Sequence, residues 1–328
     1  MAELDEFSLI KRLFLPLTGG AAEALNLADD VALIAAGGGD DWAVTADAIV
    51  SGVHFLPDDP PELIARKLLR VNLSDIAAKG AQPRFALLTA CFPKKTEQNW
   101  LDRFARGLKT DCAHYSLAVI GGDTVVTPGP LTLSLTALGL VERGRALLRS
   151  NARSGHNIWV SGSLGDAALG LLVARKEIAG LSSEHEAALL DRYRLPRPRV
   201  ALGPRLLGLA AAAMDVSDGL MADLGHICEA SGVGAVVEAS LLPISAAARA
   251  ALDAGMGEGI ASIAAGGDDY EILFTAPAEN DAAIAALSQE LDLPLTRIGR
   301  VTAGPAVSLV DAAGAEIRLS RRGYEHFA

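Results

Sequence analysis

The chain predicts a two-domain α/β protein, on three observations. Its 328 residues, half of them hydrophobic, exceed what one core usually serves. Segments that alternate every second residue are interleaved with segments of helical period, a pattern of strands and helices in turn. Around residues 142 to 156 the composition changes to ERGRALLRSNARSGH, which marks a boundary. The expected units are therefore 1–145 and 146–328.

In the first unit, Leu4-Asp5 ahead of Phe7, Ile10 and Phe14 reads as a capped amphipathic helix that ends near Pro16. Residues 30–36 and 42–50 read as strands joined by the turn Gly37-Gly38-Gly39-Asp40. Extended backbone over 42–50 puts Thr45 and Asp47 on one face, with Val44, Ala46 and Ala48 on the other. Pro60-Pro61 opens a helix that runs to about Lys79 and closes at Gly80. Its apolar stripe of Ile64, Leu68 and Val71 steps next onto Asp75, a costly place for an unpaired carboxylate. A strand at 84–92, a helix at 97–114 and a short strand at 117–120 follow. Gly121-Gly122-Asp123-Thr124 then reads as a loop in which two glycines allow a ligand close to the backbone. Residues 131–141 alternate as an antiparallel strand does.

The second unit opens with a strand at 157–160 and the segment SGSLGDAALG. It has the outline of an anion-binding loop, but without the lysine of a P-loop or the spacing of a dinucleotide fingerprint, so a tight structural turn is the better reading. Helices are expected over 165–178 and 199–212. A strand at 213–216 leads into Ser217-Asp218-Gly219-Leu220 and a helix to about Ser231. Strands near 234–239, 270–276 and 296–302 complete the pattern, and GGDDYEI at 266–272 is a second acidic entry into an apolar strand.

The charge balance narrows the function. With 29 basic and 40 acidic residues the net charge is −11, which argues against nucleic-acid binding. Three scattered cysteines fit neither a disulfide framework nor a zinc site, and six histidines show no zinc spacing. No apolar run approaches a bilayer span, and MAELDEFSLIKRLF lacks a signal-peptide core, so a cytoplasmic protein without a membrane partner is expected.

What remains is a set of aspartates in short polar interruptions of apolar segments: Asp29, Asp30, Asp47, Asp75, Asp123, Asp215 and Asp218. If they converge they repel one another, and hard divalent cations, magnesium above all, remove that repulsion. Such a site lets an acidic protein hold a polyphosphate, and phosphoryl transfer is the chemistry that most needs it. Arg149 can add a fixed positive charge to a phosphate, or can be a solvated linker residue. Protein-kinase signatures and a serine-nucleophile elbow are absent.

Taken in order, LADDVALI, VTADAIVSGVHF, NLSDIAAKGAQP, IGGDT, LRSNA, MDVSDGL and GGDDYEI resemble the thiamine-monophosphate kinase family, over nearly the whole chain. That family is similar to aminoimidazole ribonucleotide synthetase. The resemblance implies two α/β domains, with an N-terminal mixed sheet that pairs in a homodimer. It implies a phosphotransferase with a phosphate group as acceptor: thiamine monophosphate becomes thiamine diphosphate at the expense of ATP, by direct in-line transfer with several magnesium ions and no covalent catalytic residue. By matching motifs, the metal ligands would be Asp30, Thr45, Ala46 (through its backbone), Asp47, Asp75, Asp123, Asp215 and Asp218. Gly122, Asp123, Arg149 and Ser217 would contact ATP. His54, Asp268 and Tyr324 would contact the thiamine substrate, the tyrosine by stacking. The chain departs from the family pattern at Ala28, usually Gly, at Lys79, usually Met, and at Asp268, usually Glu. Two other readings stand beside this one. One is another superfamily member, such as selenophosphate synthetase or a hydrogenase-maturation protein. Selenophosphate synthetase would carry a reactive cysteine near a glycine-rich N-terminus, whereas the first cysteine here is Cys91, and GVHF followed by GGDDYEI favours the kinase. A non-catalytic nucleotide or magnesium sensor would lack a ligand, and the acidic set looks complete.

Overall fold

The structure, a computed structural model, describes residues 6–324. The expected cap at Leu4-Asp5 therefore lies outside the described residues. From Glu6 the chain forms α1 (Glu6–Leu9), then π and 3-10 turns to Thr18 in which no side chain is buried.

The first sheet contains β1 (Ala32–Gly37), β2 (Asp40–Val50), β3 (Gln82–Pro93), β4 (Ala118–Thr127) and β5 (Thr132–Glu142), in the order β1-β2-β5-β3-β4. It is mixed, with β3 and β4 parallel and the other pairs antiparallel. Along β2, Ala43, Thr45 and Ile49 are buried while Ala46 and Ala48 are exposed, so Thr45 and Asp47 share the inward face as the alternation requires. The helix α2 (Pro61–Ala78) lies across that face, with α3 (Gln98–His114) beside it. Proline at its first position and Gly80 in the left-handed region (φ 74°) delimit α2.

The second sheet holds β6 (Asn157–Ser161), β7 (Ala212–Asp215), β8 (Gly234–Glu238), β9 (Ile272–Ala276), β10 (Leu295–Thr302) and β11 (Val307–Val310), in the order β11-β8-β10-β6-β9-β7. Its helices are α4 (Asp166–Ala174), α5 (Ser183–Arg194), α6 (Leu220–Ser231), α7 (Ala246–Asp253), α8 (Ile260–Ala264) and α9 (Asp281–Glu290).

Two expectations need correction. Residues 121–124 are not a loop but the middle of β4, and Gly122 is needed there because a Cβ would sit 1.8 Å from the Leu88 carbonyl oxygen of β3. Residues 199–212 form no α-helix, only a 3-10 turn at Gly203–Leu206. Pro204 and Gly208 (φ 85°) oppose a helix, and Gly203 rests on the Ala77 carbonyl oxygen, 2.0 Å from where a Cβ would be. The helix of that region is instead α5, capped by the Ser182 hydroxyl, which accepts from His185 N at 3.2 Å.

The last turns of α2 reach past the first sheet. Ala77 and Ala78 pack with Leu202, Leu206, Ala213 and Phe274 of the second half, so one helix joins both cores and brings Asp75 toward β7. A buried ionic knot fixes the start of β9. Glu271, fully enclosed, accepts from Ser161 Oγ at 2.6 Å, Arg192 Nη2 at 2.9 Å and Arg199 Nε at 2.5 Å. Glu271→Gln keeps the shape but leaves two guanidiniums without their carboxylate. It should cost about 3 kcal/mol in chemical denaturation, and a loss below about 1 kcal/mol would show that solvent compensates them.

Candidate metal and nucleotide site

Five carboxylates gather where β2, α2, β7 and the segment before β1 meet. Ligand oxygens of Asp30, Asp75 and Asp215 lie within 4.8 Å of one another. Thr45 Oγ1 donates to Asp75 Oδ2 at 2.7 Å, which ties β2 to α2. Asp47 joins them through its backbone N–H, which donates to Asn72 Oδ1 at 3.0 Å. Asp29 completes the group: its Oδ1 is 2.8 Å from Lys79 Nζ and its Oδ2 accepts from Arg149 N at 2.9 Å. Asp30 pairs with Lys79 through Oδ2 and with the Arg149 guanidinium through Oδ1.

Charge compensation is uneven across this group. Burial alone would raise the Asp30 carboxyl, but Lys79 and Arg149 bring it down to about 2. Burial and then the Asp30 charge push Asp215 up to about 7, and the same two causes push Asp47 up to about 6. Burial, followed by Asp47, Asp215 and Asp30, holds Asp75 well above the carboxylate range. Asp215 Oδ2 is buried with no hydrogen-bond partner among the described residues. A hard-oxygen set with raised pKa values and an orphaned oxygen fits a divalent cation.

Asp218 is grouped separately, with Asp223 and His226. Asp223 is fully buried and its Oδ2 accepts from Ser217 N at 3.0 Å and Gly219 N at 3.1 Å, which shapes the turn carrying Ser217 and Asp218. Tyr324 N donates to the Asp218 carbonyl at 2.9 Å, so the C-terminal segment is tied to this turn with the Tyr324 ring about half exposed.

The three residues expected at the substrate are linked by this packing. His54 Nδ1 accepts from Val50 N at 3.1 Å, which leaves the proton on Nε2. Lys67, on α2 and 2% exposed, donates to the His54 carbonyl at 2.9 Å and to Asp268 Oδ2 at 2.8 Å, with its ammonium 4.3 Å from the Tyr193 ring centre. Asp268 sits in the left-handed region (φ 71°), and its N–H donates to Ser217 O at 2.8 Å. The rest of GGDDYEI is structural. Asp269 accepts from Gly165 N at 2.7 Å at the start of α4, so the glycine loop at 161–170 is occupied by an internal carboxylate.

Gly122 and Asp123 stand apart, on the exposed strand β4, where Asp123 Oδ1 accepts from Thr124 N at 2.8 Å. Sequence reasoning passed over Lys67, Asn72 and Asp223 as functional supports. Lys67 had a signal, since it falls three residues after Ile64 on a helix face that is otherwise apolar.

Comparison with known proteins gives a consistent answer. Residues 28–141 match the family model "AIR synthase related protein, N-terminal domain" and 153–312 match "AIR synthase related protein, C-terminal domain". The chain is 42% identical over 323 residues to the thiamine-monophosphate kinase of Caulobacter vibrioides, covering 98% of this chain and 90% of that protein. It is 38% identical to that of Escherichia coli K12, covering 98% of each. Among solved structures, "AaThiL complexed with AMPPCP and TMP" is similar with a TM-score of 0.87 at 31% identity, covering 99% of this chain and 97% of that one. Thiamine-monophosphate kinase from Stenotrophomonas maltophilia K279a has a TM-score of 0.76 at 43% identity, covering 94% and 97%. A hydrogenase maturation protein HypE in complex with ATP shares the fold at 20% identity and a TM-score of 0.70, covering 98% and 95%.

Proposed function

The chain belongs to the thiamine-monophosphate kinase family, and from that membership we propose how its own residues carry the reaction. It phosphorylates thiamine monophosphate to thiamine diphosphate with ATP as co-substrate. The observation that carries the mechanistic reading is the convergence of Asp30, Asp75 and Asp215, with Thr45 and Asp47 alongside.

Asp30, Thr45, Ala46 (through its carbonyl), Asp47, Asp75 and Asp215 would hold magnesium ions, with Asp218 and Asp123 at the edges of the site. Bound there, magnesium supplies the positive charge that lets two anionic phosphates approach and that meets charge developing on the transferred group. The protein's own part is to fix the ligand oxygens before substrate arrives. Thr45 orients Asp75, Asn72 holds the β2 backbone at Asp47, and Lys79 holds Asp30. Arg149 would turn from Asp30 to a phosphate of ATP. Ser217 has already given its N–H to Asp223, so its contact with the nucleotide falls to the hydroxyl. No side chain needs to become covalently attached in direct in-line transfer.

At the other end, the Nε2–H of His54 suits a phosphate oxygen, while Asp268 suits the cationic or amino-bearing rings of thiamine. Lys67 keeps these two at a fixed separation. Tyr324 would stack on a ring. Tyr324→Ala should therefore raise KM for thiamine monophosphate by about tenfold and leave KM for ATP within about twofold, a gap of roughly 1.4 kcal/mol typical of one lost ring contact. Equal changes in both constants would refute the stacking role.

The bare edge of the first sheet supports a homodimer. On β4, Val119, Ile120, Val125 and Val126 are 42%, 58%, 41% and 69% exposed, an apolar strand edge of the kind that pairs with a second copy. Such pairing would also cover Gly122 and Asp123. The break between the two family matches supports a division into 1–145 and 146–328. Among the described residues no helix is long and apolar enough to cross a membrane, and a cytoplasmic site of action suits both substrates. Purified protein with ATP, magnesium and thiamine monophosphate should yield thiamine diphosphate. ATP binding without that product would instead favour a sensor.

A further inference from the structure

We propose that Lys79 is a built-in counter-ion, an ammonium that fills at the Asp29–Asp30 end of the carboxylate group the place where two adjacent acids would otherwise recruit a divalent ion. This rests on the magnesium reading above and goes beyond it, because it assigns one part of the site's charge compensation to the chain itself.

Three observations carry it. Lys79 is fully buried at the end of α2 and has no route to solvent for its charge. Its Nζ donates to the Ala213 carbonyl at 2.8 Å and lies at ion-pair distance from Asp29 Oδ1 (2.8 Å) and Asp30 Oδ2, three oxygens from two segments. The two carboxylates are themselves nearly enclosed, with side chains 5% and 4% exposed, so they have little water to lean on. Such a pair stays ionised only beside a cation; without one, at least one acid takes up a proton. The lysine supplies it permanently, and Ala213 ties it to the strand that ends in Asp215.

The consequence is a division of labour. Asp47, Asp75 and Asp215, which no lysine or arginine contacts at ion-pair distance among the described residues, are left to exchangeable metal. Asp30 stands at the junction, with Oδ2 on Lys79 and Oδ1 on Arg149. Divalent ions therefore enter from the Asp75–Asp215 side, and the Asp29 side stays closed to them.

Replacing the ammonium by an isosteric uncharged chain should reopen that side. Mn²⁺ titration calorimetry without nucleotide should show Lys79→Met taking up one more ion than the wild type, or binding at least about tenfold more tightly, as two uncompensated buried carboxylates demand. In EDTA the variant should melt below the wild type, and Mg²⁺ should recover most of that loss. The double variant Asp29→Asn/Lys79→Met, which lacks one of the two acids, should return to the wild-type isotherm. An isotherm for Lys79→Met that matches the wild type, or a variant that fails to fold even in Mg²⁺, overturns the proposal. Wild-type protein that binds no Mn²⁺ with or without nucleotide would overturn the metal reading itself, a separate and distinguishable failure.

Discussion

Asp75→Asn should lower turnover on the order of a thousandfold while leaving the metal-free protein no less stable, and slightly more so. The two halves of this expectation come from the same geometry. Asparagine keeps an oxygen for the Thr45 hydroxyl, so the link from β2 to α2 at 2.7 Å survives. What disappears is a charge that sits among Asp47, Asp215 and Asp30 and whose carboxyl burial and those neighbours hold well above its ordinary range. In the metal-free protein that carboxyl is a liability, because it must either ionise beside those charges or take up a proton, and its removal is worth about 1–2 kcal/mol. In the working site it is what anchors the cation, and losing one preorganised electrostatic ligand typically costs about 4 kcal/mol of transition-state stabilisation. Steady-state kinetics with saturating magnesium and thermal melts in EDTA measure the two halves separately. Turnover within about tenfold of wild type would remove Asp75 from the metal site. Asp123→Asn is the useful comparison. Asp123 lies on β4, outside the buried carboxylate group, so its replacement should not raise the metal-free melting temperature as Asp75→Asn does.

Much of this was legible in the chain because the cost of a misplaced charge is local. Asp75 on the apolar stripe of α2 and Asp47 beside Thr45 on the inward face of β2 announced themselves by breaking a period, and both lie in the carboxylate group. Helix ends were legible for a similar reason, since Pro61 and Gly80 act within their own turn. What could not be read were partners remote in sequence. Lys67 meets Asp268 across 201 positions, and Glu271 meets Ser161 across 110. No local pattern distinguishes Asp268, which faces Lys67, from Asp269, which caps the loop before α4. Gly122 shows a different limit. The glycine pair before Asp123 signals a close approach, but the approaching group is the β3 backbone, and sequence alone cannot tell that from a ligand. Likewise 199–212 has apolar residues at helical spacing, and packing of Gly203 against α2 overrides them. The capped helix α5 was there to be found, with acids in its first turn and arginines in its last.

The metal-free protein should lose stability as pH rises from about 5 to about 8, the reverse of the trend that paired carboxylates produce, and saturating magnesium should abolish the loss. The sign follows from proton counts. Unfolded, these aspartates titrate near 3.8, whereas folded Asp215 titrates at about 7 and Asp47 at about 6, with Asp75 also raised. Between those limits the folded chain holds protons that the unfolded chain has released, so each step up in pH favours unfolding. Asp30 works the other way. Held down to about 2, it contributes stability that is present above the unfolded value and is lost only as pH falls toward 2, outside this window. A divalent ion substitutes for the protons on Asp47, Asp75 and Asp215, so its stabilisation must grow as pH rises, because fewer protons compete for the same oxygens. At a few kcal/mol in total, the metal-free melting temperature should drop by roughly 5 °C or more across the window. Differential scanning in EDTA and in millimolar magnesium, at both ends of the range, reads the two slopes directly. Parallel slopes with and without magnesium would mean that the cation binds somewhere other than these carboxylates, and the phosphoryl-transfer site would have to be sought elsewhere in the fold.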